Sequence, residues 1–243
     1  MNETIRINVR NLKEDLDVTN LFKINELKGD KPVVSSNTNL PLEAGYYLSG
    51  IMQGEEPSHA LIHPYIANAL YAAEFTTKKE DATQAYDKLE GFNVINEGTV
   101  LNAVTMVNNI NCYYSSEDKK LEKKLNIEII DDTLNVANKI VEFAKQNQFI
   151  ENVYDCQERY YGTVHRLHKM SICKNKIFYC DVINKQTLLE LISNFLLLAV
   201  SKTKDLTMIK EISLFDPIKN IEAVCDVKSI SNELKETIKN NIL

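Results

Sequence analysis

The sequence predicts an α+β protein, with a helix-rich N-terminal half and a C-terminal ββαββα-like mixed layer. Three observations predict it. Short stretches alternate apolar and polar residues, as half-buried strands do. Between them run segments with apolar residues at helical spacing. The C-terminal third shows a strand–strand–helix pattern twice. The composition agrees: 243 residues, 44% hydrophobic and 26% charged, are near the averages for globular chains. A chain of this length buries roughly 70% of its unfolded surface and needs neither metal nor disulfide to fold.

The elements follow in order. Residues 4–10 (TIRINVR) alternate and are expected to form a strand, and Pro32 to Ser35 a second short one. Pro41 suits the first turn of a helix running towards Met52. Helices are expected from about Pro64 to Phe75 and from Glu80 to Leu89, the latter ending at Gly91. Residues 99–114 fit helix or strand. A charged helix over 117–125, a strand over 127–130 and an amphipathic helix over 132–146 follow, the last capped by Asp131 or Asp132.

Further on, residues 167–182 are expected to form a hairpin turning at Lys174-Asn175, followed by an apolar helix over 185–200. Residues 207–228 are expected to form a second hairpin turning at Asp216-Pro217, followed by a helix from about Ser231 to Ile242. At an offset of 45 residues, Asn175 matches Asn220, Cys180-Asp181-Val182 matches Cys225-Asp226-Val227, and Leu189 matches Leu234. Coincidence and duplication explain so short a match equally well. Residues 1–150 and 151–243 are read as two halves, or as one continuous domain.

Charge and cysteine content narrow the function classes. The net charge of −6 disfavours non-specific binding of phosphate backbones. The basic residues are nearly all Lys, with arginines only at Arg6, Arg10, Arg159 and Arg166, whereas base readout favours the Arg fork. Five cysteines with no CxxC spacing fit neither a paired secreted framework nor a zinc ribbon. No leader pattern is visible, and the longest apolar stretch, Leu188 to Val200, is too short for a bilayer. The expectation is a cytoplasmic protein that does not enter membranes. Seven glycines without GxGxxG, GxxxxGK[ST] or G-x-S-x-G give no phosphate cradle or nucleophile elbow.

Three constellations could carry chemistry. Asp216 is followed by Asp226-Val227-Lys228. This resembles metal-dependent nucleases of the restriction-endonuclease type, which place an acidic residue before an acid-x-Lys triplet on the adjoining strand. The resemblance implies Asp216 and Asp226 as ligands of Mg²⁺ or Mn²⁺, with Lys228 positioning the attacking water. The plainer reading is a turn Asp and two solvated strand-end charges. Histidines occur in two pairs, His59/His63 and His165/His168; the first has ligand-like i,i+4 spacing, but Pro64 disfavours a helix through it. Arg159 and His165 resemble the Arg-x(4–6)-His pattern of HEPN-type helical ribonucleases, although the Tyr-Tyr-Gly-Thr-Val between them favours a strand.

The sequence therefore points first to a binding or assembly subunit acting through a protein partner or self-association. Paired tyrosines (Tyr46-Tyr47, Tyr113-Tyr114, Tyr160-Tyr161) suit such a surface. The alternative is a divalent-metal nuclease or phosphodiesterase using Asp216, Asp226 and Lys228, and only that alternative involves nucleic acid.

Overall fold

The structure is a computed structural model and describes residues 16–35, 40–55, 100–101, 104, 127–153, 169–201 and 205–242. The protein is mixed α+β: the described residues form four α-helices and one six-stranded mixed sheet. They fall into two compact units, one carrying the sheet and its helices, the other a helix pair.

In the helical unit, α1 spans Leu40–Met52 and α2 spans Ile127–Gln146. Pro41 stands in the first turn of α1 as expected, where its missing N–H costs nothing. The helix ends on Gly54 at φ 93°. There the Glu55 N–H donates to the Gly50 carbonyl (3.1 Å) and the Gly54 N–H to the Ile51 carbonyl (3.0 Å), the paired closure that a left-handed glycine permits. Gly45 lets the two helices approach closely. A Cβ there would lie 2.8 Å from Val136 Cγ1 and 3.0 Å from the Thr133 carbonyl oxygen.

α2 corrects one expectation. Residues 127–130 do not form a strand but begin the helix that runs to Gln146. Ile129 is buried one turn ahead of Thr133, on the stripe that continues through Val136, Ala137 and Ile140, so helical spacing outweighs the β-branched run. Asp132 does not start a helix; its two carboxylate oxygens each accept the Ser35 N–H at 3.0 Å. Residues 32–35, expected as a strand, are irregular chain, held there and by the Asn135 side-chain amide donating to the Val33 carbonyl at 3.1 Å.

The sheet contains β1 (Lys23–Glu26), β2 (Phe149–Val153), β3 (Met170–Cys173), β4 (Lys176–Cys180), β5 (Glu211–Asp216) and β6 (Ile221–Asp226), in the order β1-β6-β5-β4-β3-β2. All neighbours are antiparallel except β4 and β5, which run parallel. A parallel neighbour needs a crossover, supplied by α3 (Lys185–Ser201). The Asn184 side-chain oxygen caps α3, accepting the Gln186 and Thr187 N–H groups at 2.9 and 3.1 Å. Ser231 caps α4 (Asn232–Ile242) by accepting the Leu234 N–H at 3.1 Å. β3 and β4 are buried along their whole length and β5 from its second residue, the mark of strands covered on both faces.

The two hairpins turn where the sequence indicates, at Lys174–Asn175 and just after Asp216. β1 and β2 lie outside every predicted strand. The expected strand at 4–10, the helices at 64–75, 80–89 and 117–125, and most of 99–114 lie outside the described residues. No helix among the described residues is long and apolar enough to cross a membrane.

Candidate functional site

Asp216 is the last residue of β5 and is buried, with 1% relative exposure. Asp226 is the last residue of β6 and is exposed, as is Lys228 in the short 3-10 turn that follows. The strands are antiparallel, with Asp216 opposite Ile221 and Asp226 opposite Glu211. Five residue steps therefore separate the two aspartates along the hairpin, about 17 Å at strand rise. Side chains also alternate along β5, so Asp216 and the Glu211–Asp226 pair take opposite faces. Asp226 has a local role: one carboxylate oxygen accepts the Lys228 N–H at 2.8 Å and caps the turn. The structure therefore does not bring Asp216, Asp226 and Lys228 together.

Asp216 has a different neighbour, Asp181. β4 and β5 pair in parallel register with Cys180 beside Phe215, and the ladder continues one step as the Asp181 N–H donates to the Phe215 carbonyl at 3.2 Å. Asp181 and Asp216 thus stand side by side at the carboxyl ends of the one parallel pair in the described sheet, the usual location of ligand sites in open α/β sheets. Asp181 is fixed: the Tyr179 hydroxyl donates to one carboxylate oxygen at 3.1 Å, and the Val182 N–H donates to the other at 2.6 Å. Lys169, 2% exposed, immediately precedes β3 at the same end of the sheet. Burial pushes the Cys180 thiol well above its ordinary range; Lys169 draws it down, while Asp181 and Asp216 add to the rise. All three charges therefore lie within electrostatic reach of the Cys180 thiol.

The sequence carried a signal for Asp181. The repeated Cys-Asp-Val marks both Asp181 and Asp226 as strand-end aspartates, and the short spacing to Asp216 favoured the wrong neighbour. The two copies also face opposite ways. Cys180 pairs with Phe215 and Cys225 with Ile212, on opposite faces of β5.

The other side of the sheet polar core is an ion pair. Lys176 Nζ lies 2.7 Å from Glu222 and 3.7 Å from Glu211, with the Lys176 and Glu222 side chains 10% and 6% exposed. Cys173 lies nearby, and burial holds its thiol up at about 12, with Lys176 lowering and Glu222 raising it. Cys173, Cys180 and Cys225 are free and buried, which makes them poor nucleophiles at neutral pH.

The four histidines, Arg159, Tyr113-Tyr114 and Tyr160-Tyr161 lie outside the described residues. Tyr46 is buried within α1 and Tyr47 half-buried. No group of three His, Cys, Asp or Glu able to hold a metal ion occurs among the described residues.

The sheet edges form the second feature of note. β1 is a terminal strand, and Ile24 on it is 52% exposed. β2, the other terminal strand, is broken by a register shift between Phe149 and Glu151, with Ile150 59% exposed. Comparison with family models, with curated proteins and with solved structures finds no match.

Proposed function

We propose that this chain is a binding or assembly subunit acting through protein–protein contact. The observation that carries the reading is the β1 edge. A regular edge strand offers a row of backbone donors and acceptors to an incoming strand, and here it also presents an exposed isoleucine. β2 is blunted by its irregularity, as edges commonly are; β1 keeps regular register with β6 over all four residues. The organisation read from the sequence belongs with this proposal: halves at 1–150 and 151–243, the second a ββαββα-like layer. The element order β3-β4-α3-β5-β6-α4 supports it. A cytoplasmic location belongs with the proposal too, supported by an odd number of cysteines with no paired framework.

The test is native size. Tagged and expressed in its own cell, the chain is expected to migrate well above its 27.8 kDa mass, and Ile24→Lys to reduce that species. Migration as a lone chain with Ile24 intact would sink the reading.

A second reading, a divalent-metal nuclease or phosphodiesterase, is supported by one observation: Asp216 stands beside Asp181 at the carboxyl ends of the parallel pair. Two such carboxylates can hold Mg²⁺ or Mn²⁺, which would neutralise phosphate charge. Asp226 and Lys228 would then have no part in the centre.

A further inference from the structure

We infer that the occupant of the β1 edge is a second copy of this chain, paired antiparallel about a two-fold axis with Ile24 facing Ile24. The inference rests on the assembly reading above and names its partner.

Backbone alternation supplies the first argument. The Leu27 N–H donates to the Asn220 carbonyl at 3.0 Å, continuing the β1–β6 ladder one step beyond Glu26–Ile221. In an antiparallel ladder, residues that bond to the neighbour alternate with residues whose N–H and C=O point away. Leu27, Asn25 and Lys23 therefore turn their backbone towards β6, while Ile24 and Glu26 turn theirs outward. No strand among the described residues continues the sheet past β1.

Symmetry supplies the second argument. A two-fold axis normal to a continuous sheet pairs residues of the same parity, because cross-strand partners share a face. With the axis at Ile24, each Ile24 N–H reaches the Ile24 carbonyl of the other copy, so both outward groups are satisfied. The same register places Lys23 opposite Asn25 and Glu26 opposite Phe22, so no like charges stand directly opposed. Moving the axis to Glu26 would oppose two carboxylates in a chain already at −6. Each exposed Ile24 covers the other, which an arbitrary polar strand would not do. Four residues per edge give an interface well below the standard size of about 1,600 Å², so the dimer is weak and concentration-dependent.

The experiment uses the purified full chain alone. Sedimentation velocity over a wide concentration range is expected to show a reversible monomer–dimer equilibrium. Ile24→Pro removes only an outward N–H, leaves the β6 ladder intact, and is expected to weaken dimerisation about tenfold or more. Ile24→Lys should act likewise, and circular dichroism checks that both variants fold. Ile24→Cys tests the register: an opposed hydrogen-bonded pair sits about 5.5 Å apart between Cα atoms, within disulfide range. Mild oxidation should then give a covalent dimer that Asn25→Cys and the unsubstituted chain do not give. A chain that stays monomeric, or a dimer indifferent to Ile24→Pro, overturns the inference. If the purified chain is monomeric but migrates as a larger species in its own cell, self-pairing fails and the assembly reading stands.

Discussion

Lys176 and Glu222 illustrate how much one buried pair can govern. Both side chains are nearly solvent-free and meet at 2.7 Å, with Glu211 a more exposed second partner at 3.7 Å. Desolvating two charges offsets much of their attraction, so the pair adds little net stability, yet removing one partner strands the other. Glu222→Leu is therefore expected to cost about 3–5 kcal/mol, somewhat less where Glu211 takes up the lysine. The double variant Lys176→Met, Glu222→Leu should recover most of the loss. Urea denaturation of the three proteins measures this; additive losses would show that the pair is not coupled. Asp216 and Asp181 are subject to the same physics. A buried carboxylate is stable only where its surroundings compensate it; Asp181 is held by the Tyr179 hydroxyl and the Val182 N–H, and its own charge beside the buried Asp216 adds like-charge repulsion that a bound cation would relieve.

At the scale of elements, the sequence was most legible where caps and turns coincide with periodicity. Pro41 and Ser231 start helices, and the β3–β4 and β5–β6 hairpins turn where Asn and Asp-Pro indicate. It was least legible where neighbours distant in sequence decide. β1 (KINE) is too short and too polar to announce a strand; it forms because β6 offers an edge and Asn220 anchors it, donating through its side-chain amide to the Leu27 and Gly29 carbonyls at 3.0 and 3.2 Å. Asn220 itself sits at φ 55°, a conformation that asparagine tolerates. The Ile-rich start of α2 misled because β-branched residues imitate a strand until their burial stripe is known. The close approach of α1 and α2 gives the prediction at this scale. Gly45→Ala places a methyl 2.8 Å from Val136 Cγ1 and 3.0 Å from backbone at Thr133. The gain in helix propensity, about 1 kcal/mol, should be outweighed by overpacking of about 1–3 kcal/mol. Thermal denaturation should show a lowered midpoint, and Gly45→Ala/Val136→Ala should restore it.

Across the whole molecule, topology decides what the candidate residues can do. A hairpin sends its two strand ends in opposite directions, so a spacing of ten residues from Asp216 to Asp226 looks like proximity in sequence and becomes distance in the sheet. A parallel crossover does the reverse, and α3 carries the chain through a long detour to set Asp216 beside Asp181. Half of the candidate site was therefore visible in sequence and the other half required the strand order. Metal addition separates the two functional readings. A cation bound to the folded state alone raises the melting temperature by mass action. Under the assembly reading, the chelator-stripped protein should melt at one temperature with or without Mg²⁺ or Mn²⁺. Under the phosphodiesterase reading, a shift should appear and be lost in both Asp216→Asn and Asp181→Asn, while Asp226→Asn leaves it unchanged. Asparagine keeps the shape, and at position 181 its oxygen can still accept the Val182 N–H while its amide nitrogen donates to the Tyr179 hydroxyl in place of the bond that hydroxyl now donates, so loss of the shift reports loss of the ligand charge and not of the strand end. A shift abolished by Asp226→Asn alone would contradict the separation of the two aspartates across the hairpin.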